Sequence, residues 1–256
     1  IGAFTRAQPG QPIGEFFGYK VIGIFQDAQD VSKSPTQDGA NAGRFKFADV
    51  NGDGSITDAD RTWIGNPNPD FTYGVNVAGG YKNFDFSAFF YGSQGNQDVN
   101  YVKYWTDFPQ VFRGGINKDA LYKSAILVNA AGQLTTVNDP TARVSNPGAT
   151  IPVLETNSNT SNSNKFNSFY VEDGSFLKLR SLMLGYTLPV SPLKKIGIDK
   201  LRIYVQGSNL FTITKYTGLD PELQQSDLNN NSNFGIDFGN YPANQKMYMV
   251  GISASF

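Results

Sequence analysis

The residues best placed to do chemistry lie where the chain reads Asp49-Val-Asn-Gly-Asp-Gly-Ser-Ile-Thr-Asp-Ala-Asp60. Asp49, Asn51 and Asp53 take positions one, three and five of a calcium loop. Gly54 falls at six, where such a loop turns sharply, and Ser55 can offer its carbonyl at seven. Asp60 stands at twelve, in place of the usual bidentate Glu. Calcium is a hard cation that wants six to eight oxygens, and close spacing of carboxylates supplies them from one loop. The same residues also fit an acidic turn whose Asp and Asn side chains bond their own backbone. Both descriptions stay open on sequence alone. A bound calcium would stiffen a surface loop rather than catalyse.

Other chemistry is narrowly bounded. The 256 residues contain no His and no Cys. That closes the Ser-His-Asp and Cys-His arrangements, His- or thiolate-ligated zinc and iron, and any disulfide framework. Glu172 and Asp173 are adjacent, and neighbours on a strand point to opposite faces, so they cannot flank one glycosidic bond. With no Gly-rich phosphate loop either, no catalytic constellation survives and the chain reads as a non-enzyme. Tyr101, Tyr104, Trp105, Phe108 and Phe112 crowd one stretch and are candidate substrate contacts, because such rings stack on sugar faces or cover a peptide. They could equally fold the stretch back on itself or sit at a membrane interface. Lys178 and Arg180 are expected to meet lipid headgroups or a wet lumen.

The elements that would position these residues are strands. Formal charge is -1, from 21 basic and 22 acidic residues, without the basic excess of a nucleic-acid binder. No apolar run reaches the length of a membrane helix, but membrane strands need none, since only alternate side chains meet lipid. Strict alternation marks five segments. One face carries Phe71, Tyr73, Val75 and Val77; then Phe84, Phe86, Ala88 and Phe90; then Leu182, Leu184, Tyr186 and Leu188; then Leu201, Ile203, Val205 and Gly207. The last segment adds Tyr248, Val250, Ile252, Ala254 and Phe256. The other face is mixed and mainly small-polar, with Met183, Tyr204, Met247 and Met249 among its residues. Alternation over about ten residues fits a tilted membrane-crossing strand, longer than the usual five or six of a soluble sandwich. A sixth, weaker candidate runs from Phe16 to Phe25.

Connections alternate in length. Tyr81–Asn83 and Pro189–Asp199 are short, whereas 94–174 and 214–244 are long. Outer-membrane barrels show this rhythm of short periplasmic turns and long outer loops. Counting back from a periplasmic end places 27–69, 94–174 and 214–244 outside the cell. The polar runs Asn157–Asn164 and Asn229–Asn233 read as mobile loop tips. Beginning at Ile1 without a leader, the chain is expected to be a piece of something longer.

Several stretches in order resemble the C-terminal barrel region of the SusC/RagA family of TonB-dependent transporters from Bacteroidetes. They are Phe45–Gly54, Ile64–Gly74, Val171–Arg180, Gly185–Pro189, Val205–Phe211 and the terminal Phe256. The resemblance implies an antiparallel transmembrane barrel of about 22 strands, of which this chain supplies the last, with the plug domain absent. It implies an outer-membrane location and import of oligosaccharides or peptides. Its partners would be a SusD-like surface lipoprotein, outer-membrane lipid and, through the missing N-terminal part, the TonB complex. It also implies that Phe256 signals to the barrel-assembly machinery. The competing reading is a secreted, calcium-stabilised β module that binds carbohydrate. A dockerin-type module would need a second calcium loop, and the sequence has one.

Overall fold

The computed structural model describes residues 4–112, 114–157, 159, 161, 164–189, 197–223, 233–239 and 245–256, which divide into two compact units. The smaller unit contains 69–97, 173–224 and 240–256 and is built on one sheet. Its strands are β1 (Phe71–Tyr81), β2 (Phe84–Gln94), β3 (Phe176–Thr187), β4 (Lys200–Ser208), β5 (Thr212–Thr214) and β6 (Met247–Ser255). Neighbours run β6-β4-β3-β2-β1, all antiparallel, with β5 also pairing to β3. All five segments of alternation are therefore strands. No helix among the described residues is long and apolar enough to cross a membrane, which says nothing about strands.

Register puts the alternate apolar residues on one face. Val77 opposes Ala88, which opposes Leu182; Leu184 opposes Val205, which opposes Val250; Ile203 opposes Ile252. Most of these side chains are bare: Ile252 is 69% exposed, and Phe84, Leu184, Val205 and Val250 are exposed as well, while the small Ala88 is buried. In water such a face would be an association hazard, while in hydrocarbon it is the favourable surface. β1 has 11 residues, and at about 3.4 Å per step and a tilt near 40° it rises roughly 26 Å, close to the apolar band of an outer-membrane barrel. The same register puts the ends at Phe71, Gln94, Phe176, Ser208 and Met247 along one edge, so the long connections leave together.

The abundance of Gly and aromatics has a cross-strand cause. Tyr73 opposes Gly92 and Tyr204 opposes Gly251, and each ring lies where a Cβ on its glycine would sit. Aromatic cover over a strand glycine pins register and restores buried area. Between β1 and β2 the hairpin turns on two residues, with Lys82 at φ 52°. A side chain in that left-handed region costs about 1–2 kcal/mol. Lys82→Gly is therefore expected to raise stability by about 1 kcal/mol, read as a higher denaturation midpoint of the folded receptor.

One irregularity redirects the apolar pattern. Leu179 opposes Phe90 but Ser181 opposes Phe89, so Arg180 is an extra residue in β3. Across the sheet Ser208 opposes Ser181 and Thr212 opposes Lys178, so the chain between β4 and β5 also carries one residue too many. Asn209 absorbs it at φ 52°, a conformation Asn tolerates better than most side chains. The bulge switches the apolar positions of β3 from Leu177 and Leu179 to Leu182 and Leu184.

The larger unit contains residues 1–68, 98–172 and 225–239. It holds short strands around a core of Phe16, Tyr19, Phe45, Phe47, Val99, Phe108, Phe166 and Tyr170. The segment expected as a sixth crossing strand is corrected here. Phe16–Tyr19 pairs with Arg61–Gly65, and Val21–Ile24 pairs with Phe45–Phe47. Its Phe16–Tyr19 stretch is buried throughout, so the apolar run seals a small core instead of facing lipid. Within the run Asn157–Asn164, Ser161 is buried and its hydroxyl donates to the Asp38 carbonyl and accepts from Gln37, so this residue is not at a free tip; 158, 160, 162 and 163 lie outside the described residues. Of Asn229–Asn233, all but Asn233 lie outside the described residues.

Candidate functional site

The polar face of the sheet is tied together by charge. The Arg202 guanidinium on β4 donates to the Asp85 carboxylate on β2, with Nε to Oδ1 at 3.0 Å, reaching across Gly185 on β3. A Cβ on Gly185 would strike both groups, so the glycine is what lets the pair span two strands. Nearer the loop edge, Lys178 is 1% exposed. Its ammonium donates to both Asp220 oxygens, at 2.9 and 3.0 Å, and to Glu222 Oε2 at 2.9 Å. Arg180 pairs with Glu222 and lies over the Tyr91 ring. These two cations therefore meet protein carboxylates rather than lipid headgroups. They anchor the segment after β5 to the strand, which sequence reasoning missed because Asp220 and Glu222 are about forty residues away.

The candidate substrate contacts separate. Tyr101 and Tyr104 stack at 5.0 Å with 8° between planes, and Tyr101 also meets Phe4 and Phe238 edge-on. Burial and the neighbouring Tyr104 raise the Tyr101 phenol above its ordinary pKa, so it stays protonated. Trp105 and Phe112 are exposed and remain able to touch a ligand. Phe108 is 2% exposed and packs on Phe169 and Tyr170, which removes it from any contact surface. Glu172 and Asp173 point apart as expected: Glu172 pairs with Lys103 at 3.3 Å, and Asp173 accepts from the Ser175 amide.

In the acidic loop, the side-chain oxygens are turned onto the loop's own backbone. Asp49 accepts from the amides of Gly52 and Gly54, Asn51 from Asp53, and Asp53 from Ser55. Asp60 is fully buried, and its oxygens accept from the amides of Val50 and Thr57 at 2.9 and 2.7 Å, closing a capping box with Thr57. Among the described residues no group of three or more acidic side chains is gathered for a metal. This bonding fits the acidic turn of the two readings. Burial pushes the Asp60 carboxyl up, but the amides of Thr57, Val50 and Asn51 outweigh it and hold the group below the usual carboxylate range. A lowered folded pKa stabilises the loop above the unfolded value, about 3.9, and that stability is lost as pH falls through the folded value. Hydrogen exchange at the Val50 and Thr57 amides, corrected for intrinsic rate, is expected to lose protection only below about pH 4. Added calcium is expected to leave it unchanged, and a calcium-dependent gain in protection would restore the metal reading.

With the wall and loops described, comparison with known proteins decides the family. The chain aligns at 36% identity over 96% of its length with TonB-dependent receptor P3 of Formosa agariphila. It aligns at 27% over 91% with TonB-dependent receptor SusC of Bacteroides thetaiotaomicron. The chain belongs to the SusC/RagA family of TonB-dependent receptors. Among solved structures, that of the RagAB peptide transporter superposes with a TM-score of 0.63 at 24% identity, covering 94% of this chain and 22% of that one. This likeness shows the fold, a strand-built segment of a TonB-dependent transporter barrel. The segment spans 22% of receptor P3 and 19% of SusC. No family model matches it.

Proposed function

We propose that this segment is wall and outer-loop structure of an outer-membrane importer that takes up oligosaccharides, with peptides the other substrate class of the reading. One observation carries it: five long strands present a largely bare apolar face on one side, and on the other a mixed face where the Arg202–Asp85 pair and small polar groups stand beside Phe89, Met247 and Met249. Such a ribbon is stable where one side meets hydrocarbon and the other a wet lumen. The connections 27–69, 94–174 and 214–244 would lie outside the cell, offering Trp105 and Phe112 to substrate and to a SusD-like lipoprotein. Energy would come from the TonB complex through parts of the receptor beyond this chain, and the exposed Phe256 would serve barrel assembly. The names of the relatives, receptors and a transporter, agree with a non-enzyme.

The experiment is fractionation and deletion of the full receptor. It is expected in the outer membrane, extracted only with detergent, and its loss is expected to abolish growth on one oligosaccharide class while peptide use continues. Recovery of this segment from detergent-free buffer as a folded monomer would instead support a secreted carbohydrate-binding module.

A further inference from the structure

The larger unit contains a pocket of about 300 Å³ between the stretches 135–138 and 153–157, with Arg44 in its wall. That volume is at the small end of ligand pockets, which run from roughly 300 to 1,000 Å³, and suits a single ring. Its two charged groups neutralise each other. The Glu155 carboxylate accepts from Arg44 Nε at 2.9 Å and again from Nη2, and Asn159 Nδ2 donates to it at 3.0 Å. Arg44 Nη1 is spent on the Gly39 carbonyl, and the Glu155 side chain is only 9% exposed. Around this pair the side chains of Thr136, Asn138, Thr156 and Asn157 are exposed, with no hydrogen-bond partner among the described residues. Val137, Val153 and Leu154 supply an apolar patch.

The walls are held from behind. The Val153 amide donates to the Gly43 carbonyl at 2.7 Å, Asn41 Nδ2 donates to the Val137 carbonyl at 2.8 Å, and the Thr135 hydroxyl donates to Asp139. The held backbone fixes where these hydroxyls and amides start, so a ligand has only their side-chain rotamers to order. Their chemistry selects the ligand. Uncharged donors and acceptors suit ring hydroxyls, and the small apolar patch suits the C–H face of a sugar. An anion or a peptide terminus would need an unpaired charge, which the Arg44–Glu155 pair does not leave.

We infer that this pocket binds one ring of a neutral saccharide. Its purpose as a capture point rests on the import reading, whereas the binding itself does not. The test is calorimetry on the full receptor in detergent, using neutral hexasaccharides (maltohexaose, laminarihexaose, mannohexaose) and an uncharged pentapeptide. Asn138→Leu and Thr156→Val remove pocket donors without touching the ion pair. At least one hexasaccharide is expected to bind, each variant weakening it tenfold or more with melting temperature unchanged. Unaltered affinity in both variants, binding of the peptide alone, or no saccharide binding by a membrane-inserted receptor would each overturn the pocket. The wall reading would survive all three, since only failure of membrane insertion bears on it.

Discussion

Val205→Lys or Ile252→Lys is expected to deplete folded receptor from the outer membrane, whereas Gln206→Lys and Asn76→Lys leave it near wild type. Val205 and Ile252 lie midway along β4 and β6 on the bare face, and Gln206 and Asn76 lie on the other. Lysine at the bilayer midplane of a barrel strand costs about 2–4 kcal/mol, against almost nothing in a wet lumen. A loss of that size takes away a large part of an ordinary folding stability. Heat-modifiable mobility of the receptor on gels, with its amount in outer-membrane fractions, reads the difference. Equal tolerance on both faces would contradict the strand orientation.

Lys178→Met has the second large expected effect. The substitution takes the cation from Asp220, while Glu222 beside it keeps only Arg180. Breaking one partner of a buried pair costs about 3–5 kcal/mol, and the lower end applies because both carboxylates keep some exposure. The cost should appear locally, as opening of the segment after β5 and faster proteolysis between 215 and 223. Adding Asp220→Asn to Lys178→Met should recover most of the loss, since the remaining acid, Glu222, still pairs with Arg180. Wild-type protease resistance in the single variant would show that the segment is held by something else.

The sheet was legible in the sequence because period-two alternation is a local signal and each crossing strand carries enough residues to display it. Leu201, Ile203 and Val205 announce their face without reference to any neighbour. The bulge at Arg180 was not read from the sequence, because the change from Leu177 and Leu179 to Leu182 and Leu184 becomes a bulge only when a partner strand supplies a register to violate. The larger unit was not legible. Its core joins Phe16, Phe45, Val99 and Tyr170 from segments far apart, and short strands of two to five residues leave no period to read. Phe108 shows the consequence: in sequence it belongs with Trp105 and Phe112, and only packing separates a core ring from surface rings. The acidic loop is ambiguous for another reason. The same Asp and Asn spacing serves a cation or the backbone amides, and the choice turns on where Asp60 points.

Cysteine scanning from Leu201 to Ser208 tests the central claim most directly, in a receptor otherwise free of cysteine; this segment contributes none. With spin labels on receptor in lipid bilayers, Leu201, Ile203 and Val205 should be accessible to dissolved oxygen and shielded from a water-soluble nickel chelate. Arg202, Tyr204 and Gln206 should show the reverse, giving a two-residue period. A flat profile, or aqueous access at Ile203 and Val205, would contradict a strand with lipid on one side and water on the other.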